Sequence, residues 1–190
     1  MKLFKALLIF WLSATAAAAS AQRAEDSLAI TDGPWKVLDM RGAETNILRL
    51  IPWADEVIFT RHVPFAHPQG TWKTYNAKWG YVEQDPRNGE LVPCLAEIAR
   101  TCVEKSTYSA FGSLVQGADR LIVTGIQTEC CVLATILDAV DAGMEVMYVR
   151  DACSGKNAGL EQATEEILKR LSIHVTCVDT QEWIEDQKIK

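Results

Sequence analysis

The sequence predicts an α/β fold: one three-layer α/β/α domain built on a mainly parallel sheet. Three observations lead there. Short strand-like runs at 56–60, 102–105, 120–125, 145–149 and 173–178 have the length and residue types of strands buried on both faces. Helical patterns at about 43–52, 90–100, 129–142, 157–170 and 179–187 alternate with them. Strands separated by helices need crossover connections, which make neighbouring strands parallel and cover the sheet on both sides. No repeat or low-complexity linker divides the chain.

Composition sets the class of partner. With 190 residues, 48% of them hydrophobic and 23% charged, the chain can bury the core of a single ordered domain. Its net charge of −6, with no Lys/Arg cluster, argues against nucleic acid and against an anionic membrane. The expected partner is a small-molecule substrate, neutral or weakly polar. Six cysteines stand at 94, 102, 130, 131, 153 and 177, and none forms a CxxC pair. His62, His67 and His174 are not spaced around them as zinc ligands would be. Cys102 and Cys177 fall in strand-like runs, where free buried thiols are common. Scattered core thiols are therefore expected rather than a disulfide framework.

The amino terminus supports two readings. Lys2 and Lys5, an apolar stretch from Ala6 to Ala19, and Ala19-Ser20-Ala21 have the order of a secretory signal with its cleavage site. The stretch is too short and too alanine-rich for a membrane span. The same segment from Lys5 to Phe10 also suits a buried first strand. The division is thus 1–21, signal-like segment or first strand, and 22–190, a single domain. Cleavage would make the protein secreted or periplasmic; otherwise it is cytoplasmic.

In open α/β sheets the ligand crevice lies at the carboxyl ends of the strands. The run at 120–125 ends there in Gly125, and Thr128 suits the N-cap of the following helix. Cys131 then falls in the first turn, where free N–H groups and the helix dipole stabilise a negative charge. A thiolate beside backbone donors has the layout for acyl transfer. Val132, Leu133, Ile136, Leu137 and Val140 supply the buried face of that helix.

Val123, Gly125, Thr128, Cys131, Val132, Thr135, Asp138 and Ala139, followed by Val149-Arg150-Asp151-Ala152, keep one spacing throughout. In this the chain resembles the isochorismatase-like cysteine hydrolases, over about residues 30–183. The resemblance implies a Rossmann-like topology and makes Cys131, not Cys130, the nucleophile. It also implies a cis peptide at Ile126–Gln127, an oxyanion hole from the N–H groups of Gln127 and Cys131, no cofactor, and assembly as a homo-oligomer.

Lys105-Ser-Thr-Tyr-Ser109-Ala110-Phe111 is similar to the family's Lys-x-x-x-Ser-Ala-Phe element. An ammonium there, at a strand end on the crevice side, would favour the thiolate and help hold an oxyanion. Phe111 is carried over as a substrate contact. Phe59 to Pro64, followed by Trp72, Tyr75 and Trp79, resembles a branch of the family with an aromatic pocket loop. Those three rings either line an apolar substrate wall or pack an amphipathic turn. Nicotinamidase-type relatives carry Asp-x-His metal ligands where this chain has His62 and Pro64, so no metal is expected.

Two departures bear on activity. The family's proton-relaying Asp, in a Val-Ile-Asp-Met-Gln type first strand, has no counterpart; Ser20 or Trp11 takes its place, depending on the alignment. Asp26 is the nearest acid and is the candidate for the relay. Cleavage after Ala21 would also remove the central strand and unpair its neighbours. Between Phe111 and Arg120 the crossover is short, so a shortened or irregular helix is expected. The leading expectation is hydrolysis of a small amide or ureide C–N bond through a thioester on Cys131. The alternative is a catalytically impaired relative that binds a small molecule or a partner. Isochorismate hydrolysis is a third reading, and its vinyl-ether chemistry does not require the thiol.

Overall fold

The computed structural model describes residues 4–9, 33–85, 88, 91–113 and 119–189. Asp26, Ser20 and Trp11 lie outside the described residues. The chain runs β1 (Phe4–Ile9), α1 (Met40–Leu50), β2 (Glu56–His62), α2 (Trp72–Glu83), α3 (Pro93–Ala96) and β3 (Cys102–Lys105). It continues through β4 (Arg120–Ile126), α4 (Leu133–Asp141), β5 (Glu145–Ser154), α5 (Ala158–Lys169), β6 (Val175–Val178) and α6 (Thr180–Ile189). The sheet has six strands in the order β3-β2-β1-β4-β5-β6, and every pair is parallel. The amino-terminal apolar segment forms the strand between β2 and β4, with Leu7 in register with Ile58 and with Val123.

Strand alternation sorts the core into two layers. Leu121, Val123, Val146 and Tyr148 point to one face, under Ile136 and Ala139 of α4 and Leu168 of α5. Ile122, Val149 and Phe59 point to the other, under Ile47 and Leu50 of α1 and Trp183 and Ile184 of α6. Each side chain here is at most 7% exposed, so both helical layers are sealed onto the sheet. Asp151, in the quoted Arg-Asp-Ala run, accepts from the backbone N–H and the hydroxyl of Thr180, both at 2.8 Å, and so anchors the start of α6. Among the described residues no helix is long and apolar enough to cross a membrane.

Several boundaries differ from expectation. The helix expected at 90–100 shrinks to α3, because Pro93 opens it and holds Val92 extended at ψ 142°. β6 starts at Val175 rather than 173, since the chain from Arg170 to Val175 closes in a hydrogen-bonded turn that leaves Ile173 91% exposed. β5 runs on to Ser154 because its register against β4 shifts between Val123 and Gly125 and then resumes at Gly125–Cys153. Gly125 has φ +116°, a conformation that side chains bearing a Cβ rarely adopt, so the shift depends on glycine here. Among the described residues the short crossover opens in a 3₁₀ turn at Phe111–Ser113. Its remainder, 114–118, lies outside the described residues.

Candidate active site

The carboxyl ends of β3 and β4 meet a turn at 128–132 that is wider than α-helical. Val132 N–H reaches back five residues to the Gln127 carbonyl (3.2 Å), which also accepts from Cys130 N–H (3.0 Å). Gln127, extended at φ −84° and ψ 141°, is the flanking residue. Thr128 is therefore not the N-cap: it already belongs to the turn, and its buried hydroxyl makes no capping bond. The Ile126–Gln127 peptide is cis. Ile126 is buried against Trp35, Val37 and Val82, and Gln127 Nε2 donates to the Trp35 carbonyl at 3.1 Å.

Cys131 is 1% exposed, and its Sγ lies 3.4 Å from Lys105 Nζ. The ammonium also donates to the carbonyls of Thr107 (2.8 Å) and Tyr108 (2.9 Å). With Lys105 only 9% exposed, these contacts offset part of the cost of burying its charge. The neighbouring thiol differs. Burial, then Cys131 and Glu129, push Cys130 up to about 11 despite Lys105, so it stays protonated at neutral pH.

Thr135 ties the two halves of the site together. Its hydroxyl donates to the Cys131 carbonyl (2.7 Å) and accepts from Ala110 N–H (3.0 Å), and the residue is fully buried. The Ser-Ala-Phe loop is thereby stapled to the cysteine turn. Thr135→Val removes both bonds and leaves a buried donor and acceptor unmatched. It is expected to cost about 1–3 kcal/mol in chemical denaturation, whereas Thr135→Ser retains most of that stability.

His62 ends β2 opposite Lys105 and stacks edge-on with Tyr75 at 6.1 Å. Burial, and secondarily the Lys105 charge, push it down to about 3, so it is neutral throughout the working range. Below its ordinary value of 6.5 the unfolded chain takes up a proton that the folded chain refuses. Stability is therefore lost as pH falls from that value towards 3, by about 1.4 kcal/mol per unit. Denaturant midpoints at pH 7 and pH 5 should show a loss that His62→Gln reduces by about 2 kcal/mol. Pro64 offers no ligand atom, and no group of three or more His, Cys, Asp or Glu among the described residues is placed to hold an ion.

A cavity of about 140 Å³ opens beside Cys131, lined by Trp35, Tyr75, Trp79, Tyr108, Gln127 and Cys130. Tyr75 and Trp79 of α2 are among the expected contacts. The helix carrying them is itself longer than the turn foreseen. Trp72 and Phe111 are not among the residues that line the cavity. Trp72 stands behind, against Tyr75 (5.1 Å) and Tyr108 (5.5 Å), because it opens α2 on the side facing Phe65. Phe111 turns into the core under α4. Trp35, Tyr108 and Cys130 were not foreseen as lining residues. Tyr108 lies within the quoted lysine element, while Trp35 sits in a stretch with no periodic signal.

The profile of the isochorismatase domain matches residues 25–182. The chain belongs to the isochorismatase family. It is 29% identical over 85 residues to isochorismatase domain-containing protein 2 of Xenopus laevis, a match spanning 40% of each chain. It is 32% identical over 69 residues to a nicotinamidase of Escherichia coli strain K12, covering 36% of this chain and 32% of that one. The match thus spans less than half of these curated relatives' length. The fold aligns with a cysteine hydrolase from Pseudomonas syringae pv. phaseolicola 1448A at TM-score 0.72 and 18% identity, over 95% of this chain and 91% of that one. The isochorismatase-like hydrolase fold accounts for the parallel sheet.

Proposed function

We propose that this isochorismatase-family protein is a cysteine-dependent hydrolase of a small amide- or ureide-type C–N bond. One observation carries the reading: Lys105 Nζ lies 3.4 Å from Cys131 Sγ, beside an open cavity. Of the three partners of that buried ammonium, two are neutral carbonyls and only the sulfur can take a full negative charge. The contact sets a positive charge beside the attacking sulfur.

Sγ attacks the carbonyl carbon, and the oxyanion forms beside the N–H groups of Gln127 and Cys131 and the Lys105 charge. The C–N bond breaks as the leaving nitrogen takes a proton, leaving an acyl thioester. Water then adds to the thioester, releasing the acid and returning the thiol. Asp26 or water carries the protons between these steps.

The test is a panel of small amides and ureides, with acid-quenched peptides weighed for an acyl adduct. Turnover with the adduct on Cys131 supports the reading; turnover with no adduct, or with the adduct on Cys130, overturns it. A second reading, a binding module without turnover, is favoured by the absence of a carboxylate among the described residues lining the cavity. Binding without hydrolysis across the panel would establish it.

A further inference from the structure

Trp35, Tyr75, Trp79 and Tyr108 line the open cavity as the walls of a box rather than of a slot. Trp35 and Trp79 stand 5.7 Å apart at 56°, Tyr75 and Trp79 6.5 Å apart at 57°, and Tyr75 and Tyr108 6.1 Å apart at 87°. A flat ring is best held between parallel faces. Rings inclined to one another on several sides instead surround a compact, rounded group and turn several π-faces or edges towards it. At about 140 Å³ the cavity is small for a drug-sized ligand.

The electrostatics favour a cation at the far end of that group. Among the described lining residues there is no arginine, lysine or histidine to repel it. The Lys105 ammonium is turned towards Cys131 Sγ and the carbonyls of Thr107 and Tyr108. Burial, then Cys130 and Cys131, raise the Tyr108 phenol, which stays neutral and keeps its hydroxyl proton. Lys78 Nζ stands 4.7 Å from the Trp79 ring centroid, so one face of that ring already holds an ammonium and a ligand cation must meet the other. The net charge of −6 draws small cations towards the molecule.

We infer that this aromatic box selects substrates carrying a small methylated ammonium group, placed so that their amide carbonyl meets Cys131. The inference rests on the proposed hydrolase reading for the reacting end only. Cation binding itself needs no turnover.

Calorimetric titration of the full-length protein with choline and with 3,3-dimethylbutan-1-ol, its neutral isostere, at matched ionic strength tests the box. Choline is expected to bind at least 10-fold more tightly. Trp79→Leu should abolish that preference while leaving the protein folded by its thermal midpoint, and Trp79→Phe should keep part of it. Equal affinity, no binding of either compound, or a preference that survives Trp79→Leu overturns the inference. Hydrolysis separates the two claims. The amide of trimethylammonioacetic acid should exceed neutral 3,3-dimethylbutanamide at least 10-fold in kcat/KM. Equal turnover of both sinks the cation site and leaves the hydrolase standing. A choline preference with no turnover of any amide sinks the hydrolase and leaves the site.

Discussion

Cys131→Ala is expected to reduce amide hydrolysis by at least about 1,000-fold, because the acyl intermediate of the proposed mechanism forms on its sulfur. Cys130 cannot substitute. Its thiol is pushed up to about 11 by burial and by its two acidic neighbours, so it holds its proton at neutral pH. The fold should survive, since Cys131 fills little volume in the core and its hydrogen-bonding carbonyl is unchanged. Cys131→Ser is the sharper control, as it keeps the shape and a polar atom but not the nucleophilicity. Steady-state rates beside circular dichroism and thermal midpoints decide the matter. A folded Cys131→Ala protein with wild-type turnover would exclude the mechanism.

Lys105→Met is expected to slow alkylation of Cys131 at pH 7 by roughly 10-fold or more, and to slow hydrolysis further. Methionine replaces the stem at similar volume, so the change removes the charge with little change in packing. It also leaves the Thr107 and Tyr108 carbonyls without their donor, which should cost about 1–3 kcal/mol of stability. Lys105→Arg restores a positive charge but not a compact ammonium, so it should recover labelling only in part. Peptide-resolved mass spectrometry after timed iodoacetamide treatment reads the effect. Unchanged labelling in a folded Lys105→Met protein would show that the 3.4 Å contact does not activate the sulfur.

What the sequence makes legible follows from what is local. Strand and helix alternation from residue 56 onward depends on short-range periodicity, so the parallel, doubly covered sheet was predictable from it. The cysteine turn was legible for a similar reason: Val123, Gly125, Thr128, Cys131 and Thr135 are spaced along one continuous stretch. Chain-distant relations were not legible. Thr135 reads as one more helix residue until its hydroxyl is seen bridging Cys131 and Ala110. The aromatic residues 72, 75 and 79 fit equally well as packing or as a wall. Only the docking of α2 over the strand ends divides them, putting Tyr75 and Trp79 at the cavity and Trp72 behind it.

The sequence by itself therefore determined the class of fold and the family, because both depend on residue spacing, and it supplied the expectation that Cys131 rather than its neighbour is the nucleophile. Only the tertiary structure decided that the Lys105 ammonium meets the sulfur and that Trp35 and Tyr108 join Tyr75 and Trp79 in lining the cavity beside it. Those contacts join β3, β4, α2 and the loop after residue 32, segments far apart in the chain. No local propensity encodes them. They arise when parallel strands bring their carboxyl ends to one edge, and a buried charge or ring must then find its partners among whatever that edge presents.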